Sequence, residues 1–261
     1  TWHRQESGVN CRLTAVHFLD AQTGWIAGRF TEPYAHTSRG VMLRTRDGGR
    51  TWHRDSKLML PGLADVGFFD IVHGWVAGDA SSFFPTGAAV TDDGGRTWMP
   101  LAGPGFASWT SASFTDPGTG IAVGRSATAT VISQRTQRPA PLPPLGLRTL
   151  NKVVHAGAQS AWAVSDGATA LRSDDAGASW RIAFDALSAN GAAASFDLRA
   201  IAVSGEDCWV AGNPGSRVFH TVDGGRSWSS YPTGQAMPIN ALSFVDREHG
   251  WAAGSLGTVL A

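Results

Sequence analysis

The sequence is poor in cysteine, tyrosine and charge, and it contains no long apolar run. Its two cysteines, Cys11 and Cys208, are too few for a disulfide framework or a four-cysteine zinc site. Charged residues make up only 16% of the chain and sum to zero net charge, which argues against a generic nucleic-acid binder. No stretch reaches the roughly 18 apolar residues of a transmembrane helix, so we expect no membrane insertion.

Glycine and tryptophan are abundant instead, and the tryptophans mark repeats. The chain has 32 glycines and 11 tryptophans. Four segments share one octapeptide, which we call the box: Thr or Ser, any residue, Asp, Gly or Ala, Gly, Arg or Ala, Thr or Ser, Trp. The boxes span residues 45–52, 91–98, 173–180 and 221–228, and Thr1-Trp2 resembles the end of a fifth. Their aspartates and tryptophans are Asp47, Trp52, Asp93, Trp98, Asp175, Trp180, Asp223 and Trp228.

A second repeated element precedes the boxes and sets the length of the repeat. Its pattern is typified by Gly24-Trp25-Ile26-Ala27-Gly28. Its central positions are Trp25, Trp75, Ile121, Trp162, Trp209 and Trp251. These positions recur at about 45 residues, which is the length of a four-stranded propeller blade.

A third element alternates apolar and polar residues, as in Leu13 to Phe18, and therefore predicts a strand. Each repeat then contains strands A, B, C and D, with the box joining C to D. We predict an all-β, six-bladed β-propeller of four-stranded antiparallel blades, forming a single domain over residues 1–261. The N-terminal strand is expected to complete the last blade, because ring closure removes exposed sheet edges. The alternative is an incomplete seven-bladed ring.

The boxes have the residue types of a structural turn. An aspartate can accept backbone N–H bonds, glycine allows positive φ, and tryptophan can pack between sheets. Calcium binding needs several oxygen ligands in one loop, whereas each box offers one recurrent aspartate, so we expect neither metal nor cofactor. In the third repeat, residues 133–138 replace the box and four prolines follow. This composition favours the edge strand of a blade, with a proline-rich ligand for an SH3-type partner as the alternative.

The box and the element upstream of it resemble the bacterial-neuraminidase-repeat, or Asp-box, propellers. Phe18 to Trp25 and Phe244 to Trp251 narrow the resemblance to the photosystem II stability/assembly factor-like family. Its photosynthetic members are seven-bladed, whereas six repeats are found here. The resemblance implies a secreted, periplasmic or lumenal location, hence an extracytoplasmic one. It also implies a non-enzymatic scaffold that binds other proteins.

A carbohydrate-active propeller is the alternative function, either a sialidase-like hydrolase or a lectin-like binder. A sialidase needs a tyrosine and a glutamate from different blades, and the chain has only Tyr34 and Tyr231. No Arg-Ile-Pro element occurs near the N-terminus, and most aspartates are assigned to turns. We therefore predict no enzymatic activity and assign no catalytic residues.

The candidate binding residues lie in the loops between strands B and C, which share one face of a propeller with the D–A loops. Loop variation on a rigid scaffold is where function tends to lie. The B–C loops are rich in arginine and aromatic residues, which suit a protein or peptide ligand. The candidates are Arg29, Tyr34, His36, Arg39, Asp79, Phe83, Phe84, Arg125, Asn213 and Arg217. Alternatively, the arginines are merely solvated and the Phe83–Phe84 pair packs under its own loop.

Overall fold

The computed structural model describes residues 5–31, 38–54, 59–185 and 196–261, and these residues form 23 strands and one short 3-10 helix, Ser255–Gly257. The strands of the first half are β1 (Arg12–Phe18), β2 (Gly24–Thr31), β3 (Ser38–Thr45), β4 (His53–Arg54), β5 (Leu63–Phe68), β6 (Gly74–Gly78), β7 (Ala88–Thr91), β8 (Met99–Pro100), β9 (Trp109–Asp116), β10 (Thr119–Gly124), β11 (Thr128–Ser133) and β12 (Thr136–Pro139). The second half contains β13 (Leu150–His155), β14 (Ala161–Ser165), β15 (Thr169–Ser173), β16 (Arg181–Asp185), β17 (Asp197–Ser204), β18 (Asp207–Asn213), β19 (Arg217–Thr221), β20 (Ser229–Pro232), β21 (Ile239–Phe244), β22 (Gly250–Gly254) and β23 (Val259–Leu260).

Consecutive strands pair into six sheets, which we number as blades 1 to 6 in chain order. The first five blades have four strands each, and the sixth has β21 to β23. The chain is thus a six-bladed β-propeller, as its repeats predict. The N-terminal strand expected to complete the last blade involves Thr1 to Arg4, which lie outside the described residues.

The chain divides into two compact units. Residues 1–120 and 132–138 make up the first, and residues 121–131 and 139–261 the second. Blades 1 and 2 belong to the first unit, blades 4 to 6 belong to the second, and blade 3 contributes residues to both. Every residue of the B strands β6 and β14 is buried, so these two strands lie at the centre of the packing of their units.

Aromatic stacking joins one blade to the next. The B-strand Trp25 stacks on Phe68, at the end of the A strand of blade 2, with ring centroids 3.7 Å apart. Trp209 stacks in the same way on Phe244 of blade 6. Trp98, from the box of blade 2, meets Phe68 edge-on. The phenylalanine, the B-strand tryptophan and the box tryptophan therefore form one packing unit, which explains why they recur together.

The boxes are closed turns that their own side chains hold together. In the second box, the Thr97 amide and hydroxyl donate to the Asp93 carboxylate at 2.9 and 2.6 Å. The Thr91 hydroxyl donates to Oδ1 of Asp93 at 2.8 Å. Gly94 and Gly95 have φ of 74° and 87°, where glycine is unstrained. The bond from the Thr97 side chain, followed by that from its backbone, lowers the pKa of Asp93 to about 2. The other three boxes repeat the pattern.

Blade 3 replaces the box by a tight hairpin. Gln134 and Arg135, both with positive φ, connect β11 to β12, and β12 is the outermost strand of the sheet. This confirms the edge strand predicted from the proline-rich sequence. The Arg135 guanidinium donates to Asp92 of the second box at 2.8 Å, so this hairpin also ties blade 3 to blade 2 within the first unit.

Candidate binding face

Three residues form a polar network at the loop end of blades 1 and 2. Arg29 lies near the end of β2, Ser38 begins β3, and Asp79 directly follows β6. Arg29 Nη1 lies 3.3 and 3.2 Å from the two carboxylate oxygens of Asp79. The Ser38 hydroxyl also donates to Asp79 and accepts the Gly62 N–H at 3.2 Å. The structure thus brings two of the predicted residues, Arg29 and Asp79, into one half-buried ion pair.

The B–C loop of blade 2, residues 79–87, has a well-defined backbone. Its ends meet through a bond from the Gly78 N–H to the Gly87 carbonyl at 2.8 Å. The Asp79 N–H donates to Gly62, in the preceding D–A loop, at 2.8 Å. The Ala80 N–H donates to the Ser108 hydroxyl, in the following D–A loop, at 3.1 Å. Both neighbouring D–A loops therefore hold this loop in place.

Three large apolar side chains project from these loops into solvent. Met59, Phe83 and Phe106 are 76%, 72% and 83% exposed, and we call them the apolar rim. Phe106 has φ of 61°, which is uncommon for an aromatic residue and costs free energy. Its N–H donates to the Pro85 carbonyl, and the N–H of Ala107 donates to the same oxygen at 3.3 Å. The fold thus holds an exposed aromatic ring in an unfavourable backbone conformation.

The two neighbouring phenylalanines of this loop differ in environment. Phe84 packs against the buried cluster of blades 1 and 2 that contains Leu60 and Leu63. The predicted alternative, in which the pair packs under its own loop, therefore holds for Phe84, whereas Phe83 faces solvent. Met59, Phe106 and Ser38 are not among the residues predicted from the sequence. Phe106 follows Gly103-Pro104-Gly105, and an aromatic residue after such a turn sequence is the signal that could have identified it.

The other predicted residues also lie at loop ends of their strands. Arg39 is exposed on β3, where its backbone forms a bridge to Pro61. In the second unit, Arg125 is exposed just after β10 and Arg217 is exposed at the start of β19, where it donates to the Ser230 hydroxyl at 2.6 Å. Asn213 is half-buried at the end of β18, before a cis peptide bond to proline. Tyr34 and His36 lie outside the described residues.

Loop-end carboxylates in the second unit, like Asp79 in the first, accept hydrogen bonds from the protein itself. Asp166 accepts the Asn151 side-chain amide at 2.8 Å, and Asp197 accepts the Gly167 N–H at 3.1 Å. These bonds give the carboxylates a structural role. Among the described residues, no group of three or more histidines, cysteines and acidic residues could hold a metal ion.

Comparison with known proteins supports the same fold. The family model "Photosynthesis system II assembly factor YCF48" matches residues 147–245. A comparison with curated proteins gives no match. A solved structure of YCF48 bound to D1 peptide is similar, with 16% identity, a TM-score of 0.65, and coverage of 95% of this chain and 92% of that one. YCF48 from Cyanidioschyzon merolae has 16% identity, a TM-score of 0.66, and coverage of 95% and 94%.

A glycoside hydrolase shares the fold more distantly. The GH74 xyloglucanase from Xanthomonas campestris has 14% identity and a TM-score of 0.54, with coverage of 93% of this chain and 50% of that one. Within the described ranges, no helix has the length and apolar character needed to cross a membrane. The repeats, the six antiparallel blades and the similar structures agree on the fold: the chain is a six-bladed β-propeller, and its residues 147–245 match the model of the photosystem II assembly factors.

Proposed function

We propose that this propeller is a non-enzymatic, extracytoplasmic binding protein that recognises a protein or peptide through its B–C and D–A loops. The observation that carries the proposal is the exposure of Met59, Phe83 and Phe106 on loops that adjoin the Arg29–Asp79 pair in the chain or through backbone hydrogen bonds. A ligand segment with an apolar side chain would lie against Phe83 and Phe106. Its backbone or polar side chains would meet Arg29 and Ser38.

The apolar side chains of the rim are better suited to contact with a peptide than to exposure to water. Fully burying a side chain such as phenylalanine contributes roughly 1.5–3 kcal/mol, so two rings and a methionine can supply much of a micromolar affinity. Aromatic residues and arginine are also the types that dominate binding energies at protein interfaces. The loop backbone is already hydrogen-bonded in place, which reduces the conformational entropy lost on binding.

The comparisons support a peptide ligand over a sugar. One similar propeller is a YCF48 bound to a D1 peptide. The similarity to the xyloglucanase supports the fold alone and gives no support for glycoside hydrolysis by this chain. A glycosidase needs two carboxyl groups facing one cleft, whereas Asp79, Asp166 and Asp197 are hydrogen-bonded to the protein itself. A carbohydrate-active propeller is therefore the weaker candidate.

Selection from a library of random short peptides tests the proposal. The wild-type protein is immobilised and bound peptides are sequenced. We expect peptides enriched in apolar and aromatic residues, and we expect Phe83→Ser combined with Phe106→Ser to weaken their binding about tenfold or more. Each affinity is measured by fluorescence anisotropy on the soluble protein.

The matched control removes apolar side chains at the other end of the blades. Val222 and Val245 are exposed in a box turn and an A–B turn, so Val222→Ser with Val245→Ser makes a similar change away from the loops. The control is expected to bind like wild type. Equal loss in both variants, failure to select any peptide, or cleavage of a glycan panel by the wild type would contradict the proposal.

A further inference from the structure

A leucine at the tip of the B–C loop of blade 6 is exposed in an unfavourable backbone conformation. Leu256 is 91% exposed and has φ of 57°. With Gly257, whose φ is 77°, it forms the centre of the tight turn between β22 and β23. A turn with positive φ at both central positions favours glycine, asparagine or aspartate, and it strains a leucine. Folding alone therefore gives no reason for a leucine at this position.

The equivalent turn of blade 3 shows that a leucine is not needed to build this conformation. There Ser126 takes the place of Leu256, with φ of 54°. In both turns the threonine two residues further on, Thr128 or Thr258, donates through its hydroxyl to the carbonyl oxygen three residues earlier, at 2.8 and 2.9 Å. The two turns thus have the same local structure, and the leucine adds an exposed apolar side chain to one of them.

A second exposed apolar side chain lies on the loop that is hydrogen-bonded to this turn. The Ser255 N–H donates to the carbonyl of Pro238, in the D–A loop before β21, at 2.9 Å. Met237, the residue before this proline, is exposed. Leu256 and Met237 therefore lie on two loops of blade 6 that a backbone hydrogen bond joins, and we call these two residues the second rim.

Leu256 shares its two unusual properties with Phe106 of the apolar rim. Among the non-glycine residues with positive φ in the described ranges, these two are the ones with large apolar side chains, and both are exposed. Both also lie in loops at the end of their blades opposite the boxes. An exposed apolar side chain held in a strained conformation costs free energy in the protein alone, which points to a contact made with another molecule. The shared combination indicates the same kind of contact in both units.

We propose that the second rim binds an apolar segment of the peptide ligand recognised by the apolar rim, so that this ligand carries two separate apolar segments. The inference rests on the function proposed above. The apolar rim belongs to the first unit and the second rim to the second unit, so each rim supplies its own apolar contacts. Two segments of one ligand bind more tightly than either alone, because the first contact raises the effective concentration of the second segment.

A substitution that removes the leucine side chain and also relieves the turn tests this proposal. We expect Leu256→Gly to raise the midpoint of thermal unfolding by about 2–4 °C, since glycine is unstrained at positive φ. The probe is the tightest-binding peptide that wild type selects from a random library of about 20-residue peptides, dye-labelled and followed by fluorescence anisotropy. We expect Leu256→Gly to weaken its binding about tenfold, because a buried leucine contact is lost, even though the variant is the more stable protein.

Two control variants separate the side chain from the backbone. Ser126→Gly makes the same backbone change in the equivalent turn of blade 3, so we expect a higher midpoint and unchanged binding. Leu256→Met keeps an apolar side chain at the tip, and we expect it to retain binding. Equal loss of binding in Leu256→Gly and Ser126→Gly would overturn the proposal.

The same measurements distinguish failure of this inference from failure of the proposed function. Loss of binding by Phe83→Ser with Phe106→Ser, together with full binding by Leu256→Gly, would overturn the second rim and leave the loop-face function intact. Failure to select any peptide would overturn both. Binding of wild type to phosphatidylcholine vesicles that is lost in Leu256→Gly would identify a lipid contact and would also overturn the proposal.

Discussion

The indole of Trp25 lies flat on the ring of Phe68, with the ring centroids 3.7 Å apart and the planes 7° from parallel. Trp25 belongs to the B strand of blade 1, whereas Phe68 ends the A strand of blade 2. The two residues are far apart in sequence, yet their separation is close to one repeat. Tryptophan and phenylalanine thus recur regularly along the chain because they form the contacts between neighbouring blades.

This stacking predicts that replacing phenylalanine by alanine lowers the free energy of unfolding by different amounts at the equivalent positions of blades 1 and 2. Phe68→Ala should destabilise the protein by about 3–5 kcal/mol, because it opens a cavity under the indole. Phe18 occupies the same position in blade 1 but is 43% exposed, against 4% for Phe68. We expect Phe18→Ala to cost about 1 kcal/mol or less. Urea denaturation of both variants measures the difference, and equal losses would contradict the packing described here.

The box of blade 4 carries a residue that its conformation disfavours. Ala176 has φ of 56°, where the boxes of blades 1, 2 and 5 have glycine. Ala176→Gly should stabilise the protein by about 1 kcal/mol, since the left-handed conformation strains an alanine. Gly94→Ala is the reverse change, and its Cβ would lie 2.6 Å from the Ile71 carbonyl oxygen. Differential scanning calorimetry should show opposite shifts, and shifts of the same sign would argue against this explanation.

Asp93 and Asp70 make stability sensitive to acid. Hydrogen bonds from the Thr97 side chain to Asp93 and from the His73 side chain to Asp70, followed by backbone bonds, lower both pKa values to about 2. Because these values lie below those of the unfolded chain, the stabilisation is complete above about pH 4 and is lost as the pH falls towards 2. Asp93→Asn should lower the thermal midpoint at pH 5, and its difference from wild type should shrink with acidification. A constant difference would contradict the assignment.

Asp79 is the acceptor on which the polar network depends. Asp79→Ala leaves the Arg29 guanidinium and the Ser38 hydroxyl without this partner, at an expected cost of about 1–2 kcal/mol. Arg29→Ala in the same background should cost less than it does in wild type, because the pair is already broken. Arg125→Ala, an exposed position, should change the stability by under about 0.5 kcal/mol. Additive effects of the Asp79 and Arg29 substitutions in guanidinium denaturation would show that the pair is not coupled.

The fold could be predicted from the sequence because its contacts repeat. In blades 1, 2 and 5 the B-strand tryptophan stacks on a phenylalanine of the next A strand, so the same residue types recur about every 45 positions. The degenerate third repeat was predictable too, because Ile121 keeps the apolar character of the missing tryptophan and proline suits the outer strand.

The candidate surfaces were less predictable, because they depend on which side chain of a loop faces solvent. Phe83 and Phe84 are adjacent and chemically identical, yet only Phe84 packs against the core. The pairing of Arg29 with Asp79 spans two blades and depends on loop conformation. None of these relationships has a local sequence signature.

Hydrogen–deuterium exchange with a library-selected peptide is the most direct test of peptide binding by the loop face. The protein is labelled with and without the peptide, and protection is mapped by mass spectrometry. We expect slower exchange in residues 79–87 and 102–108, which carry Phe83 and Phe106, and unchanged exchange in the boxes. Protection confined to the boxes, or no protection in either loop, would contradict the proposal that this propeller binds its ligand through the loop face.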